Sequence, residues 1–366
     1  MRRLAWLYML NLPALLAGCQ LGYYSQAMNG HFALMGKREP VAAVLADPDT
    51  PAEVAEQLAF SQQVIAWAWP HLDLPVDDVY HQYVALEQDA VLWNVLAAPR
   101  WSLTPKTWCY PLLGCVSYRG YFDRARADQE AAALAEDGMD TWVGGAIAYS
   151  TLGWFADPLT TPMLNRSRPA LAELLIHELT HRRIYIANDT RFNESLATLV
   201  GREGALAYFA DQGIHLNEEA LVQRDRAERA FMAIVEDTRE ALSRLYESSE
   251  DPQLLAAEKA RIQQQARERF RQEQTDNPAL AGYRGFFDGP LNNAQLNGVS
   301  DYNGYVSAFA RLLTQCQRDW DCFWQQVDNL ADLTDAQRKQ ALQDFHGTDS
   351  YPATGIGRPD PAYPDP

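Results

Sequence analysis

The spacing of apolar and polar positions predicts helices over much of the chain. Residues 52–70 have a helical period, and we expect Pro70 to end this helix, because proline cannot continue the hydrogen-bond ladder of a helix. Two shorter helices are expected at about 124–137 and 334–345. In the first half of the chain the sequence between Tyr83 and Tyr121 is aromatic and rich in turn residues, which favours short strands and loops.

The longest helical pattern lies between residues 216 and 275. Along its first helix an apolar or small residue recurs every three or four positions, which gives one narrow stripe: Ala227, Phe231, Ile234, Thr238, Ala241 and Leu245. Asp251 and Pro252 interrupt the pattern, and residues 253–274 then form a second helix, so we expect an antiparallel hairpin. The stripe is expected to pack between the two helices, or alternatively to bind a protein partner.

A further apolar helix, predicted from Pro169 to Ile186, contains the motif HELTH. Pro169 is a helix-start signal, and no helix breaker follows it. Residues four apart on a helix share one face, so His177 and His181 can turn two imidazoles toward one metal ion. Glu178 lies about 100 degrees around the helix from the first histidine, near the metal without being a ligand, which suits a general base.

Glu194 is the candidate for a third metal ligand. An open catalytic zinc site usually has three protein ligands. Asp189 is a good N-cap for a second helix, and the small residues Ala197 and Gly201 allow that helix to lie close to the first. The sequence therefore predicts a site for one zinc ion with the ligands His177, His181 and Glu194.

The first nineteen residues have the layout of a secretory signal. Two arginines precede an apolar run from Leu4 to Leu16, which is too short to cross a bilayer comfortably. The run ends in Leu-Ala-Gly-Cys, which resembles the lipobox of bacterial lipoproteins and implies lipidation of Cys19. With Gln20 next, the resemblance implies an outer-membrane anchor, with the protein facing the periplasm. Residues 1–18 would then be a signal peptide; an ordinary signal peptide or a buried N-terminal helix is the alternative.

Four cysteines remain besides Cys19, in two pairs with the same internal spacing. An even number of cysteines in an oxidising compartment suggests disulfides. Three connectivities are possible, and the simplest joins near neighbours; a structural zinc site is less expected, since neither pair has CxxC spacing. These pairs are Cys109 with Cys115 and Cys316 with Cys322.

The order of the metal motifs resembles the glutamate-ligand zinc peptidases, in which an HExxH helix is followed by a helix with an NExxA-like motif. Here that motif is residues 193–197. Together with the lipobox and the stretches GCVSYRGYF, GGAIAYSTLGWFADP and NDTRFNESLAT, it resembles the predicted aminopeptidase family of bacterial lipoproteins. The resemblance implies an α+β, zincin-like fold: a mixed N-terminal part, an active-site helix pair and a mostly helical C-terminal part. It implies the three metal ligands above and Glu178 as catalytic base.

Zinc peptidases also suggest where the substrate and the oxyanion donor lie. The sequence of residues 141–155 predicts a strand followed by a turn. In zinc peptidases of this kind, an edge strand beside the metal-binding helix pairs with the backbone of the peptide substrate. The candidate substrate-binding residues here are Gly144, Gly145, Ala146 and Tyr149. The oxyanion donor is often a tyrosine or histidine from the part of the chain beyond the metal helices. Tyr302 is the leading candidate, and the other polar candidates are Tyr305, Asn292 and Asn293.

The charge of the chain limits its partners. With 31 basic and 48 acidic residues its net charge is −17, which argues against nucleic acid and against electrostatic docking on anionic lipid. We expect one peptidase domain over residues 19–348 and a proline-rich, disordered tail over residues 349–366. The expected substrate is a peptide, and the expected membrane contact is the lipid on Cys19.

Two other functions fit parts of the sequence. The chain could be a non-catalytic, zinc-stabilised envelope lipoprotein that binds a partner through residues 216–275. It could also hydrolyse a non-peptide amide such as peptidoglycan. An intact HExxH favours catalysis, because a structural zinc is usually closed by four ligands and needs no neighbouring base.

Overall fold

Helices make up most of the protein, and its small sheets lie in the N-terminal half. The structure, a computed structural model, describes residues 22–344 except 78, 111–113 and 149–155, and omits the side chains of residues 218 and 300–303. The predicted signal peptide, Cys19, Tyr149 and the proline-rich tail therefore lie outside the described residues.

The described elements follow in chain order. The first half contains α1 (22–35), β1 (Glu39–Pro40), α2 (Val41–Ala46), α3 (Ala52–Leu72), β2 (Gln82–Val84), β3 (Leu92–Pro99), β4 (Trp108–Tyr110), β5 (Gly114–Val116), β6 (Tyr118–Tyr121), α4 (Arg124–Glu136), β7 (Met139–Ala146), β8 (Leu159–Thr160) and α5 (Thr161–Leu164). The second half contains α6 (Arg168–Arg183), α7 (Thr190–Asp211), α8 (Glu218–Ser248), α9 (Pro252–Asp276), a 3-10 turn (Pro278–Tyr283), α10 (Arg284–Asp288), α11 (Asn293–Asn303), α12 (Val306–Gln315), α13 (Trp320–Ala331) and α14 (Asp335–Asp344).

Two helix ends differ from the expectation. Helix α3 continues past Pro70 to Leu72, because the proline lies in its last turn and interrupts only one backbone hydrogen bond. The helix then ends at Asp73, whose φ of 51° is left-handed and whose N–H donates to the Trp69 carbonyl. Helix α6 ends at Arg183, three residues earlier than expected, where the chain becomes extended.

Helices α6 and α7 form the centre of the main hydrophobic core. Gly201 of α7 lies against α6 so closely that a Cβ atom at this position would be 2.7 Å from the Glu173 carbonyl oxygen and 3.2 Å from Cβ of His177. A Cβ atom at Gly204 would be 2.7 Å from Leu72 and 2.9 Å from Ile176. Real Cβ atoms do not approach so closely, so the two glycines set the distance between the helices.

Strands β6, β3 and β7 form an antiparallel sheet, in that order, with helix α4 packed on it. Among the described strands β7 therefore lies at an edge of this sheet, and it covers the first part of the strand and turn predicted over residues 141–155. The Asn292 side chain donates to the Thr141 carbonyl of β7. A Cβ atom at Gly145 would be 2.9 Å from Ala90 and 3.0 Å from the Trp93 ring, so packing within the sheet already requires this glycine.

Strands β4 and β5 form a short antiparallel ribbon beside the turn between α6 and α7. Cys109 and Cys115 face each other in the ribbon and form a disulfide, and a second disulfide joins Cys316 to Cys322. The backbone N–H of Cys115 donates to Oδ1 of Asn188, at 2.7 Å. Since Asn188 lies between α6 and α7, the ribbon holds the turn that joins the two helices.

Helices α8 and α9 form the hairpin that the sequence pattern predicts. The apolar stripe of α8 packs against α9, as expected, and also against a later part of the chain. Ala227, Phe231 and Ile234 are buried against α9 and against residues 280–299 together. The ring of Phe231 stacks on Tyr283 with centroids 4.2 Å apart. The stripe is therefore covered within the chain. No helix in the described part of the protein is long and apolar enough to cross a membrane.

Replacing Gly201 by alanine should separate α6 from α7. We expect the free energy of unfolding to fall by about 1–3 kcal/mol, as for other overpacked cores, and metal affinity to fall with it. Thermal denaturation and equilibrium dialysis with zinc measure the two effects. Gly282→Ala is the matched control, because nothing lies within 4 Å of a Cβ atom there. Equal behaviour of the two variants would contradict the close-contact account.

Candidate metal centre

Helix α6 presents two histidines to one point in the core. His177 and His181 are one turn apart, and their ring centroids are 4.9 Å from each other at an interplanar angle of 84°. Both residues are buried. The run of apolar residues that precedes them anchors this helix in the core, so the imidazoles are held in a defined orientation.

Helix α7 brings Glu194 to the same point. Its Oε2 atom lies 3.4 Å from Nε2 of His177 and 3.5 Å from Nε2 of His181, and the two Nε2 atoms are 3.2 Å apart. A tetrahedral zinc ion with bonds of about 2.0–2.1 Å would separate its ligand atoms by about 3.4 Å. The three side chains therefore form a buried group that could hold a metal ion, and their donors and spacing fit zinc.

The turn between the two helices is fixed by hydrogen bonds. Asp189 accepts from the Phe192 N–H as the N-cap of α7, and its other carboxylate oxygen accepts from Nε of Arg338 at 2.8 Å. Asn193 pairs with the backbone of Ile186 through two hydrogen bonds of 2.8 Å, one in each direction. Asn193 thus holds the turn while the next residue, Glu194, faces the histidines. Sequence patterns did not indicate the role of Arg338, which lies in α14.

The electrostatics of the group favour a charged Glu194. Burial alone would raise the pKa of Glu194, but the neighbouring imidazoles of His181 and His177 lower it to about 2. Burial lowers the pKa of His181, and Glu194 reverses this and leaves that pKa raised overall. Without a metal, a proton on His181 is therefore favoured. A zinc ion takes the place of such a proton.

Glu178 lies beside the group and not in it. Burial is the largest influence on its carboxylate and raises its pKa, Glu194 adds to the rise, and the histidines oppose it. The side chain is only partly buried, so it remains accessible from one side. A carboxylate with a raised pKa next to a metal site suits proton transfer near neutral pH.

Three tyrosines that sequence patterns did not indicate surround the two glutamates. The pKa of Tyr118 is raised by burial and then by Glu194, and that of Tyr185 is raised by the same two influences. The pKa of Tyr80 is raised by burial and then by Glu178. The three phenols therefore stay protonated and can donate hydrogen bonds. Tyr118 comes from β6, Tyr80 from the loop before β2 and Tyr185 from the turn after α6. The GCVSYRGYF stretch contains Tyr118, and the helix predicted from Pro169 to Ile186 contains Tyr185, but neither pattern indicated a role for the phenol.

A second buried charge cluster lies behind the metal helix. Glu173 is one turn before His177 and completely buried, and burial raises the pKa of its carboxyl group to about 8 despite the nearby Arg202. Arg202 of α7 also forms an ion pair with Glu228 of α8. This cluster connects the helix pair to the hairpin, and at neutral pH Glu173 is largely protonated.

Some of the expected site residues lie elsewhere. Tyr305 is buried in the main core, where its N–H donates to Oγ of Ser195. Asn293 donates to the carbonyls of residues 99, 100 and 102 and accepts from the Tyr246 hydroxyl, and Asn292 binds Thr141. These asparagines hold the end of the β3–β7 sheet and are not free donors for an oxyanion. The side chain of Tyr302 lies outside the described residues, so its role stays a prediction.

The expected substrate residues Gly144, Gly145 and Ala146 lie on β7. This strand is separated from β6, which carries Tyr118, by the central strand β3. In this sheet it is Tyr118 whose side chain interacts electrostatically with Glu178 and Glu194. The role of the β7 edge in substrate binding stays a prediction.

Comparison with known proteins adds one finding. A family model described as putative aminopeptidase matches residues 22–342, which is most of the chain. The protein belongs to this family. The match covers both metal helices and the helical C-terminal part, and it supports a peptidase function. Neither the curated proteins nor the solved structures gave a match.

Zinc should bind to the purified aminopeptidase-family chain with one ion per molecule and stabilise its fold. At a free zinc concentration one hundred times the dissociation constant, the gain is about 2.7 kcal/mol. Affinity should fall below neutral pH, because protons compete for imidazoles and the pKa of His181 is raised.

Equilibrium dialysis and thermal denaturation with and without a chelator measure these effects. His181→Ala and Glu194→Gln should abolish both of them. His215→Ala is the control, since His215 is exposed and lies on the loop after α7. Undiminished zinc binding by both ligand variants would show that the metal binds elsewhere.

Proposed function

We propose that this protein is a zinc-dependent peptidase, an aminopeptidase by its family, that acts in the bacterial cell envelope. The observation that carries the proposal is the convergence of His177, His181 and Glu194 within 3.5 Å of one another, with Glu178 beside them. A structural site would be expected to have a fourth protein ligand. Within the described residues, the group that could hold a metal has three.

The residues around the group have separate tasks in peptide hydrolysis. A bound zinc ion supplies a Lewis acid that polarises the scissile carbonyl and lowers the pKa of the attacking water. Glu178 accepts the proton of that water and passes it to the leaving amine. Its raised pKa makes both transfers feasible near neutral pH, and Glu194 stays ionised because its pKa is held near 2.

A phenol is the proposed donor to the negative charge that develops on the carbonyl oxygen. Tyr118 and Tyr80 both lie in the field of Glu178. A preorganised donor of this kind typically contributes a factor of about 10²–10³ to the rate. Tyr302 remains a further candidate from the C-terminal part.

The substrate backbone is proposed to pair with the edge of β7, an arrangement that needs a donor other than Tyr118, because β3 lies between β7 and the strand that carries Tyr118. The Thr141 carbonyl of that edge already accepts from Asn292, so Val143 and Gly145 offer the remaining outward backbone groups, because such groups alternate along a strand. Pairing of this type satisfies peptide groups without selecting one sequence.

The envelope location is supported by three features. The Leu-Ala-Gly-Cys sequence ends at Cys19, and helix α1 begins only three residues later, which keeps it within about 10 Å of a lipid on that cysteine. Tyr24, Met28 and Phe32, spaced four residues apart on α1, are exposed. The two disulfides fit an oxidising compartment. A partner-binding role for the hairpin would need a surface other than its covered stripe.

Glu178→Gln should remove catalysis and leave the fold and the metal intact. We expect kcat on a mixed peptide pool to fall by a factor of about 10²–10⁴, the usual contribution of a general base. Mass spectrometry of the products measures turnover and locates the cleaved bonds.

The matched control is Glu173→Gln on the same helix. Its carboxyl group is buried and largely protonated at pH 7, so an amide should replace it with little effect on kcat. Full turnover by Glu178→Gln would mean that the proposed mechanism is wrong.

A further inference from the structure

Arg182 lies on the catalytic face of the metal helix. It is four residues after Glu178, so the two side chains leave the same face of α6 one turn apart, with Cβ atoms about 5–6 Å from each other. The sequence offers a different explanation for this arginine, since a basic residue in the last turn of a helix interacts favourably with the helix dipole. The surroundings of the side chain distinguish the two roles.

The guanidinium group of Arg182 is buried and incompletely bonded. Its side chain is 10% exposed, and Nε and Nη1 have no hydrogen-bond partner within the described residues. Nη2 reaches Oδ2 of Asp77 at 3.3 Å, but Asp77 is 73% exposed and so forms only a weak surface pair. The next residue, Arg183, is less buried and yet contacts both Asp328 and Asp73. A buried guanidinium with unpaired donors is costly unless an acceptor arrives from outside.

Tyr80 connects this guanidinium to the catalytic base. The electrostatic neighbours of its phenol include both Glu178 and Arg182. The φ angle of Tyr80 is 61°, a left-handed conformation that is rare for a bulky residue. Two hydrogen bonds of 2.8 Å hold it there, from its N–H to Asp157 and from the Gln62 side chain to its carbonyl. Strained residues of this kind are concentrated at functional sites.

We propose that Arg182 binds a carboxylate of the substrate, next to the base Glu178. The inference rests on the proposed peptidase function and adds a substrate class to it: peptides with a carboxylate close to the scissile bond. A planar guanidinium matches a carboxylate with two parallel hydrogen bonds, which a lysine cannot reproduce. Each peptide residue spans roughly 3.3–3.6 Å, so a carboxylate one helical turn from the base belongs to the first or second residue beyond the cleaved bond. It is either the α-carboxylate of a short peptide or an acidic side chain.

The test measures peptide binding and cleavage by the zinc-loaded protein. Two peptide pairs separate the sources of the carboxylate: one pair differs only in a free or amidated C-terminus, the other only in Glu or Gln after the scissile bond. Binding is measured by calorimetry on the Glu178→Gln variant, which should not turn the peptide over. The value of kcat/KM is measured on the unmodified chain. We expect at least a tenfold preference for the carboxylate member of one pair.

Arg182→Met should remove that preference by lowering binding and kcat/KM more for the carboxylate peptide than for its amidated or Gln counterpart, while Arg182→Lys should restore part of it. Arg183→Met is the matched control and should keep the full preference. The comparison of peptides on the unmodified chain holds even if Arg182→Met fails to fold.

Cleavage of both members of each pair at equal rates overturns the carboxylate site alone. If Arg182→Met lowers kcat/KM equally for both peptides of a pair, the residue has a structural role, and the carboxylate site is overturned as well. Absence of cleavage and binding with every peptide overturns the proposed peptidase function itself.

Discussion

The close contact between α6 and α7 at Gly201 is the constraint on which the rest of the site depends. The group that could hold a metal ion is divided between these helices, with His177 and His181 on one and Glu194 on the other. Glu194 and Gly201 are seven residues apart, two turns of helix, so they lie on the same face of α7. A Cβ atom at Gly201 would press against the Glu173 carbonyl and the Cβ of His177 on α6. A larger residue would increase the distance that Glu194 must bridge. The ligand geometry is therefore a consequence of helix packing.

Parts of the chain that are distant in sequence fix the turn between these helices. The β4–β5 ribbon holds Asn188 from one side, and α14 holds Asp189 through a buried ion pair with Arg338. Asn193 closes the turn on itself. These contacts reduce the conformations open to Glu194 before a metal binds, which is how supporting residues orient the ligands of a metal site.

Local sequence rules predicted the elements whose signals are local. The i, i+4 spacing of the histidines, the Asp189 cap and the small residue at 201 led to the helix pair, and the break at Pro252 led to the hairpin. Helices α11 to α13 were not predicted, and for α11 the reason is that Asn-Asn and Asn-Gly pairs around residues 292–298 are typical of turns. In the structure, Asn292 instead accepts from the Gln295 N–H at the start of α11. The tyrosines near the glutamates were also not predicted, since only tertiary packing brings Tyr80 and Tyr118 close to glutamates that are 60 to 98 positions away.

The measurement that tests the central claim most directly is zinc-edge X-ray absorption on the purified chain with one equivalent of zinc. The account predicts a single four-coordinate ion with nitrogen and oxygen neighbours at about 2.0–2.1 Å, two of them imidazoles, and loss of this spectrum in Glu194→Gln. Sulfur neighbours, or an unchanged spectrum in that variant, would contradict the claim that the α6 and α7 pair forms the zinc site.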